Sequence, residues 1–125
     1  MIQSIEILKF ETDHGLGARA RLGLIVLQTD QTIEHDFARI FCNENDVSLY
    51  VTRIPNAMEV SPENLRQMAI DLPRAAGLLP SQFGFDVVGY GCTSGATLIG
   101  EEEVGKLIRD IHPKAATTNP ITATK

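Results

Sequence analysis

Apolar and polar positions alternate along this chain in blocks whose lengths predict strands followed by helices. Residues 21–27 are a nearly continuous apolar run of strand length. A polar stretch follows, and apolar residues then recur at helical spacing, which predicts a helix over about residues 32–42 with Ile33, Phe37, Ile40 and Phe41 on one face. Residues 47–54 alternate and are rich in β-branched and aromatic side chains, so they predict a second strand.

The second half of the chain repeats this order. Ser61, Pro62 and Glu63 predict a helix start, because a serine hydroxyl caps, a proline is tolerated at the first helical position and a carboxylate faces the helix dipole favourably. This helix continues to about residue 77 or 80, and Pro73 is expected to kink it. A third strand at residues 85–90 leads into a glycine-rich turn at 91–95. A helix over 101–111 and a short strand at 115–118 follow.

The order of these elements predicts the fold class. Strands that alternate with helices favour an α/β fold: an open parallel four-stranded sheet with helices on both faces, of the flavodoxin-like or Rossmann-like kind. We interpret residues 1–20 as an N-terminal arm or edge strand and residues 21–120 as the α/β domain. Residues 121–125 resemble the beginning of another helix, so we expect them to start a connection to a second domain.

The composition of the chain argues against some classes of protein. The chain has 125 residues, 43% of them hydrophobic and 22% charged, which fits one globular domain. Its net charge of −5 and scattered basic residues argue against a nucleic-acid partner. No apolar run approaches the ~20 residues of a membrane span, and the N-terminus lacks the pattern of a signal peptide, so we expect no membrane association and a cytoplasmic location.

The cysteines and histidines do not indicate a metal site or a disulfide framework. Cys42 and Cys92 lie fifty positions apart with no CxxC motif, and the three histidines are isolated from one another. We therefore predict two free thiols and no metal site of the usual zinc spacing. Cys42, next to Phe41 at the end of a predicted helix, is expected to pack in the core.

The candidate chemistry follows the first and third strands, because open α/β sheets bind ligands at the carboxyl ends of their strands. Cys92, Thr93 and Ser94 follow the third strand, between glycines 91 and 95. Cys92 has two readings: a small buried hydrophobe, or a thiolate favoured by exposed backbone N–H groups. In the second reading, Thr93 and Ser94 could donate hydrogen bonds to a substrate oxygen that gains negative charge.

Thr29 and Asp30 follow the first strand and form a second candidate. Asp30 has the residue type of a helix cap, and that is its simplest explanation. The alternative is substrate binding, since the ends of the first and third strands can face the same crevice.

At these two stretches the chain resembles the aspartate/glutamate racemase superfamily, in the branch of maleate cis-trans isomerase and arylmalonate decarboxylase. The residues that carry the resemblance are 23–26, 29–34, 61–65, 87–95 and 117–120. The run 29–39 is most similar to the ectoine-utilisation proteins of this branch. The resemblance extends over about residues 21–121, and it identifies the chain as similar to the N-terminal half of such proteins.

The resemblance implies two similar α/β domains arranged with pseudo-symmetry around one active site, to which each domain contributes a cysteine. Cys92 would be the cysteine of the first domain, acting as base or nucleophile on a small carboxylic or amino acid. Thr93 and Ser94 would hold the substrate carboxylate or its enediolate, with Thr29 and Asp30 nearby, and no cofactor would be needed. Decarboxylases of the branch have glycine at the position of Cys92, so this chain is more similar to the isomerases and racemases.

The chain departs from the family pattern in two respects. Maleate isomerases have asparagine at the position of Asp30, and an aspartate there would repel a substrate carboxylate. We therefore expect Asp30 to meet an amino or amidine group. The second domain and its cysteine are absent from these residues, so we expect a missing C-terminal domain or a second subunit as partner, with a homo-oligomer as one form. The isolated chain is predicted to be inactive. The alternative is a binding or regulatory module of the same fold without turnover.

Overall fold

The computed structural model describes residues 6–125, which form one parallel sheet flanked by helices. The elements in chain order are β1 (Ala20–Leu27), α1 (Ile33–Ile40), β2 (Val47–Ile54), α2 (Pro62–Gly77), β3 (Val87–Tyr90), α3 (Thr93–Ile99), α4 (Glu101–Arg109) and β4 (Ala116–Thr118), followed by a 3₁₀ turn at Thr122–Thr124. The four strands are parallel and lie in the order β2-β1-β3-β4. The predicted fold class, an open four-stranded parallel α/β sheet, is confirmed.

The helices lie on both faces of the sheet, but unequally. The α1 face carries α1, whose Ile33 side chain approaches Gly91 at the end of β3. The α2 face carries α2, α3 and α4, and the hydrophobic core forms there around Ile25, Val88 and Tyr90 of the central strands. This division follows from right-handed crossovers, because the chain moves one way across the sheet from β1 to β2 and the other way afterwards.

Local sequence signals explain where α2 begins. The Ser61 hydroxyl accepts a hydrogen bond from the Asn64 backbone N–H at 3.2 Å, and Pro62 occupies the first helical position. The predicted helix is continuous through Pro73, where a kink was expected, and ends at Gly77. Loss of one backbone hydrogen bond at Pro73 is outweighed here, since Leu72, Ala75 and Ala76 on either side are buried in the core.

Two predictions differ from the structure, and a third is narrowed to one of its alternatives. Residues 93–99 form α3 where a turn through residue 95 was expected, because Cys92 caps a helix that begins at Thr93. Cys42 is exposed and not in the core, since α1 contributes no buried residue. Residues 6–19 form neither helix nor strand, so within the described part the N-terminal segment is an arm and not an edge strand; residues 1–5 lie outside the described residues. No helix among residues 6–125 is long and apolar enough to cross a bilayer.

Candidate functional site

The carboxyl ends of β1 and β3 lie side by side at one edge of the sheet. The two strands pair directly, with Ile25 opposite Tyr90, and the Gly91 backbone N–H donates to the Ile25 carbonyl oxygen at 2.8 Å. The structure thus brings the segments after the two strands to the same edge. All five sequence-predicted site residues belong to those segments: Cys92, Thr93, Ser94, Thr29 and Asp30.

Cys92 lies at the junction of β3 and α3. Its backbone is extended, with φ −135° and ψ 111°, and its Sγ accepts a hydrogen bond from the Gly95 backbone N–H at 3.2 Å, as an N-cap residue does. The Ser94 hydroxyl lies 3.6 Å from the same sulfur. The cysteine is 6% exposed. The sulfur is therefore fixed by the start of a helix, where the Gly95 N–H would also stabilise a thiolate.

Tyr90 lies next to the cysteine on the core side, and the sequence analysis treated it only as the end of a strand. Its hydroxyl lies 4.0 Å from the Met68 Sδ. Burial raises the pKa of Tyr90 far above its usual value of 10.0, and the neighbouring Cys92 raises it further. The phenol therefore stays protonated and is available as a hydrogen-bond donor beside the sulfur. The alternation of residues along β3 predicts that Tyr90 faces the core. Its hydroxyl is found beside Cys92 only in the three-dimensional structure.

Thr93 and Ser94 form the first turn of α3, and both are exposed. The Thr93 carbonyl oxygen accepts a hydrogen bond from the Thr97 hydroxyl at 2.8 Å, which fixes the turn. The Ser94 hydroxyl is the closer of the two to the Cys92 sulfur. Both residues therefore present polar groups to solvent at the edge where the thiol lies.

Thr29 is held by a residue that the sequence analysis did not single out. The side chain of Asn56, which follows β2, accepts hydrogen bonds from the Thr29 backbone N–H at 3.2 Å and from its hydroxyl at 3.3 Å. The Asn56 amide in turn donates to the Thr29 hydroxyl oxygen at 3.0 Å. The only signal in the sequence was the position of Asn56 directly after a predicted strand. Asn56 thus adds the end of a third strand to the same edge.

Asp30 starts α1. Its Oδ1 accepts hydrogen bonds from the Thr32 and Ile33 backbone N–H groups, at 2.9 and 2.8 Å. These bonds, and the nearby Arg53 guanidinium, hold the pKa of Asp30 below its usual value of 3.8. Arg53 also donates to the carbonyl oxygens of Leu27, Gln28 and Asp30 itself, at 3.1, 3.1 and 2.8 Å. The carboxylate is ionised at neutral pH, and the loop that carries it is tied to β2.

The described residues contain no candidate metal centre. Within residues 6–125, no three His, Cys, Asp or Glu side chains come together as a metal ion would require. The chemistry that the predicted site residues offer is that of one thiol, three hydroxyl groups and one carboxylate, with the Asn56 amide and the Arg53–Glu34 ion pair beside them.

Comparisons with known proteins identify the fold. No protein-family model matches the sequence, and no curated protein matches it. Among solved structures, the maleate isomerase of Pseudomonas putida S16 matches with a TM-score of 0.63 at 21% identity, over 84% of this chain and 46% of that one. A cysteine-to-alanine variant of that isomerase, solved with maleate, gives 0.56 at 23% identity, over 78% and 44% of the two chains.

The maleate cis-trans isomerase of Nocardia farcinica, solved with TRIS bound, gives a TM-score of 0.57 at 20% identity, over 80% of this chain and 44% of that one. The present chain thus spans less than half the length of each of these isomerases. At such identities the likeness concerns the fold. The described chain has the α/β fold found in about half of a maleate isomerase chain.

Proposed function

We propose that this chain is one half of a cofactor-independent isomerase or racemase of the maleate isomerase and arylmalonate decarboxylase type, with a small carboxylic or amino acid as substrate. The observation that carries the proposal is the placement of Cys92, whose Sγ accepts the Gly95 N–H at the carboxyl edge of the sheet. The fold shared with maleate isomerases supports the same class. A closer relation to ectoine-utilisation proteins is part of the proposal, and it rests on residues 29–39.

In this proposal the Cys92 thiolate acts directly on the substrate. With an amino acid, the Cα–H bond breaks, sulfur takes the proton and the electron pair moves into the carboxylate as an enediolate. Thr93 and Ser94 would donate hydrogen bonds to its oxygens. With a cis-alkene diacid, sulfur would bond to one alkene carbon and the π pair would become a carbanion stabilised by the adjacent carboxylate. Rotation and loss of the thiolate would then give the trans isomer.

A second group is required on the opposite face of the substrate. Inversion at Cα needs a proton donor there, and Cys92 serves one side only. Cys42 does not fill this role, because it lies beyond the far end of α1, exposed to solvent. A partner domain or a second subunit would supply the group. We therefore expect a confirmed monomer of this chain to give no racemase or isomerase turnover by polarimetry or NMR; measurable turnover would refute the requirement for a partner.

Asp30 favours a substrate with a positively charged group. Its carboxylate is ionised, and a second carboxylate brought close to it would be repelled. An amino or amidine group would be attracted. In the Asp30→Asn variant, the acceptor oxygen for the α1 N–H groups is retained and the charge is lost. We expect this variant to gain affinity for maleate relative to an amino-acid ligand; an unchanged preference would contradict the role of Asp30.

Protection from alkylation tests the location of the site. In a Cys42→Ser background, Cys92 is the only thiol, and its reaction with iodoacetamide can be followed by mass spectrometry. We expect aspartate-like ligands to slow the labelling of Cys92 in proportion to their occupancy. The matched control is the Cys92→Ser variant, in which the labelling of the exposed Cys42 should not respond to ligand. If no small acid of this class slows the labelling of Cys92, the proposed site is wrong.

A second candidate function is a binding or regulatory module of the same fold that carries out no turnover. The low exposure of Cys92 favours it, since only 6% of the residue is exposed and a substrate would have to reach the sulfur. Ligand protection of Cys92 together with an absence of Cα proton exchange in D₂O, when a partner domain is supplied, would support this alternative over the enzyme.

A further inference from the structure

A cavity lies at the edge of the sheet opposite to Cys92. Its walls are two loops, residues 81–85 before β3 and residues 111–115 before β4. The cavity has a volume of about 290 Å³, near the lower end of the ~300–1,000 Å³ typical of small-molecule sites. Its lining includes no residue of the segments 6–19 and 116–125. The cavity is therefore formed by two loops that the structure describes in full.

The loop before β4 contains a buried histidine that lines this cavity. His112 is 6% exposed, and its ring packs edge-on against Phe85, with the ring centroids 5.2 Å apart. Its Nε2 lies 2.8 Å from the Ala76 carbonyl oxygen. Because a carbonyl oxygen only accepts hydrogen bonds, Nε2 carries a proton, and the neutral imidazole has its lone pair on Nδ1. The contact with α2 thus determines the tautomer of the ring.

The Nδ1 atom of this ring has no hydrogen-bond partner among residues 6–125. Within the same residues, the Ser48 Oγ is the side-chain atom that is fully enclosed without a partner, so Nδ1 is not sealed in the core. Ala76 occupies the Nε2 side of the ring, which leaves the Nδ1 side to the cavity. His112 therefore offers an acceptor of fixed orientation to a molecule in the cavity, and an unpaired acceptor at a buried residue costs stability.

The cavity also has donors and a positive charge. Phe85 is 3% exposed, and its backbone N–H donates to no other described residue. Buried backbone N–H groups are almost always paired, so this one requires an oxygen atom from water or from a ligand. The exposed Lys114 adds an ammonium group, and the lining contains no Asp or Glu. The cavity therefore favours an anion, although the chain has a net charge of −5.

We propose that this cavity binds a small hydroxy acid, whose hydroxyl donates to the His112 Nδ1 and whose carboxylate accepts from the Phe85 N–H and the Lys114 ammonium. A carboxylate without a hydroxyl would leave Nδ1 unpaired. An amino acid would pair with Nδ1 but bring a second cation to a cavity that already holds one. The cavity and Cys92 lie at opposite edges of the sheet, so this inference goes beyond the proposed function and does not depend on it.

An NMR titration of the full chain with L-malate and with succinate tests the site. These two diacids differ by one hydroxyl group. We expect malate to shift the ¹H–¹⁵N amide resonances of Phe85 and Lys114, and to bind at least about threefold more tightly than succinate, because its hydroxyl pairs with Nδ1. Equal affinities for the two acids would overturn the proposal. So would the absence of shifts in residues 81–85 and 111–115, including the case in which only residues 92–95 respond.

The ring nitrogens of His112 give an independent measurement. In protein labelled with ¹⁵N-histidine, the free chain is expected to show a protonated Nε2 and an unprotonated Nδ1. Malate should shift the Nδ1 resonance, and succinate should leave it unchanged. A free chain with its proton on Nδ1 would contradict the tautomer that the proposal requires. Neither titration measures turnover, so a negative result here is separate from a failure of the proposed function.

Two variants test the polar groups one at a time. His112→Gln removes the Nδ1 acceptor, while its amide nitrogen retains a donor for the Ala76 carbonyl oxygen; malate and succinate should then bind equally. Lys114→Gln, at an exposed residue, should keep the fold and weaken both acids by about two- to fivefold. Lys9→Gln is the matched control, because it removes the same charge outside the lining, and it should leave both affinities unchanged.

Far-UV circular dichroism checks that each variant is folded. If His112→Gln does not fold, the Lys114→Gln titration and the Nδ1 resonance of the parent still decide the question. Affinities that are unchanged in Lys114→Gln, or a preference for malate that persists in folded His112→Gln, would show that the cavity does not bind the acid in the proposed way.

Discussion

Replacing Gly95 by alanine tests how tightly the candidate site is packed around Cys92. An ideal Cβ at this position lies 2.4 Å from the Tyr90 hydroxyl oxygen, 3.1 Å from the Cys92 Sγ and 3.2 Å from the Tyr90 Cε1. Real Cβ atoms essentially never approach another heavy atom within 3.0 Å. Tyr90 is 1% exposed, so its ring has no free space into which to move. The added methyl group must therefore displace the tyrosine or the helix.

Two opposing effects determine how much Gly95→Ala changes the free energy of unfolding. Overpacking a well-packed core costs about 1–3 kcal/mol, and a contact as short as 2.4 Å places this site at the upper end. Alanine is favoured over glycine within a helix by about 1 kcal/mol. We therefore expect Gly95→Ala to lower the free energy of unfolding by about 2 kcal/mol. The matched control is Gly77→Ala in α2, where an added Cβ meets nothing within 4 Å; it should be stabilising by about 0.4–1 kcal/mol.

A double-mutant cycle, measured by urea denaturation, tests whether the clash with Tyr90 causes the loss of stability. Tyr90→Phe removes the oxygen that the new Cβ would strike, and the single variant measures what the hydroxyl itself contributes through Met68 and through its place beside Cys92. The double variant Gly95→Ala, Tyr90→Phe should therefore recover at least about 1 kcal/mol of the loss. If Gly95→Ala is as stable as the parent, or if Tyr90→Phe gives no recovery, the inferred packing of tyrosine against helix is wrong.

Three further stability changes can be measured in the same way, by urea denaturation. Asp30→Ala should cost about 1 kcal/mol at neutral pH, through the lost bonds to the start of α1. Because the folded-state pKa of Asp30 is depressed, the stabilisation by its charge is present above about pH 3.8, and the gap to Asp30→Ala should narrow as pH falls through the folded pKa. Arg53→Lys should cost about 1–2 kcal/mol, since lysine is one atom shorter than the Nη1 that meets all three carbonyl oxygens and has no second nitrogen for the Glu34 carboxylate, whereas Arg66→Lys at an exposed ion pair should change stability by less than about 0.5 kcal/mol. His112→Ala should cost about 2–4 kcal/mol, since the buried Nε2 lies 2.8 Å from the Ala76 carbonyl oxygen and the ring packs edge-on against Phe85; a loss below about 1 kcal/mol would show that the imidazole is not part of the core.

Local signals in the sequence were sufficient for most of the fold. The alternation of residues 47–54 gave the bounds of β2, and Ser61-Pro62 gave the start of α2, because both depend on residues that are neighbours in the chain. The order of strands and helices was enough to predict a parallel sheet, which the structure confirms.

Features that depend on distant contacts were not predictable in this way. Helix α3 was not predicted from the sequence. Glycines at 95 and 100 indicated a turn, and the start of the helix depends on the Cys92 side chain acting as a cap. The exposure of Cys42 follows from the shallow packing of α1, which its apolar periodicity does not reveal. The bond between Asn56 and Thr29 and the position of Tyr90 beside Cys92 arise only when neighbouring strands pair. For the site, the sequence indicated which edge of the sheet carries it but not the residues that support it.

Because all four strands are parallel, the loops before the strands and the loops after them lie at opposite edges of the sheet. The loops before each strand lie at the edge opposite Cys92, and in the connection before β3 Ser81, Gln82 and Gly84 are exposed. Opening the backbone there would divide the candidate site between two pieces, one carrying β1 with Asp30 after it and the other carrying β3 with Cys92 after it. The parallel register of β1 against β3 fixes how the two pieces rejoin. Ligand protection of Cys92 would then report fragment complementation.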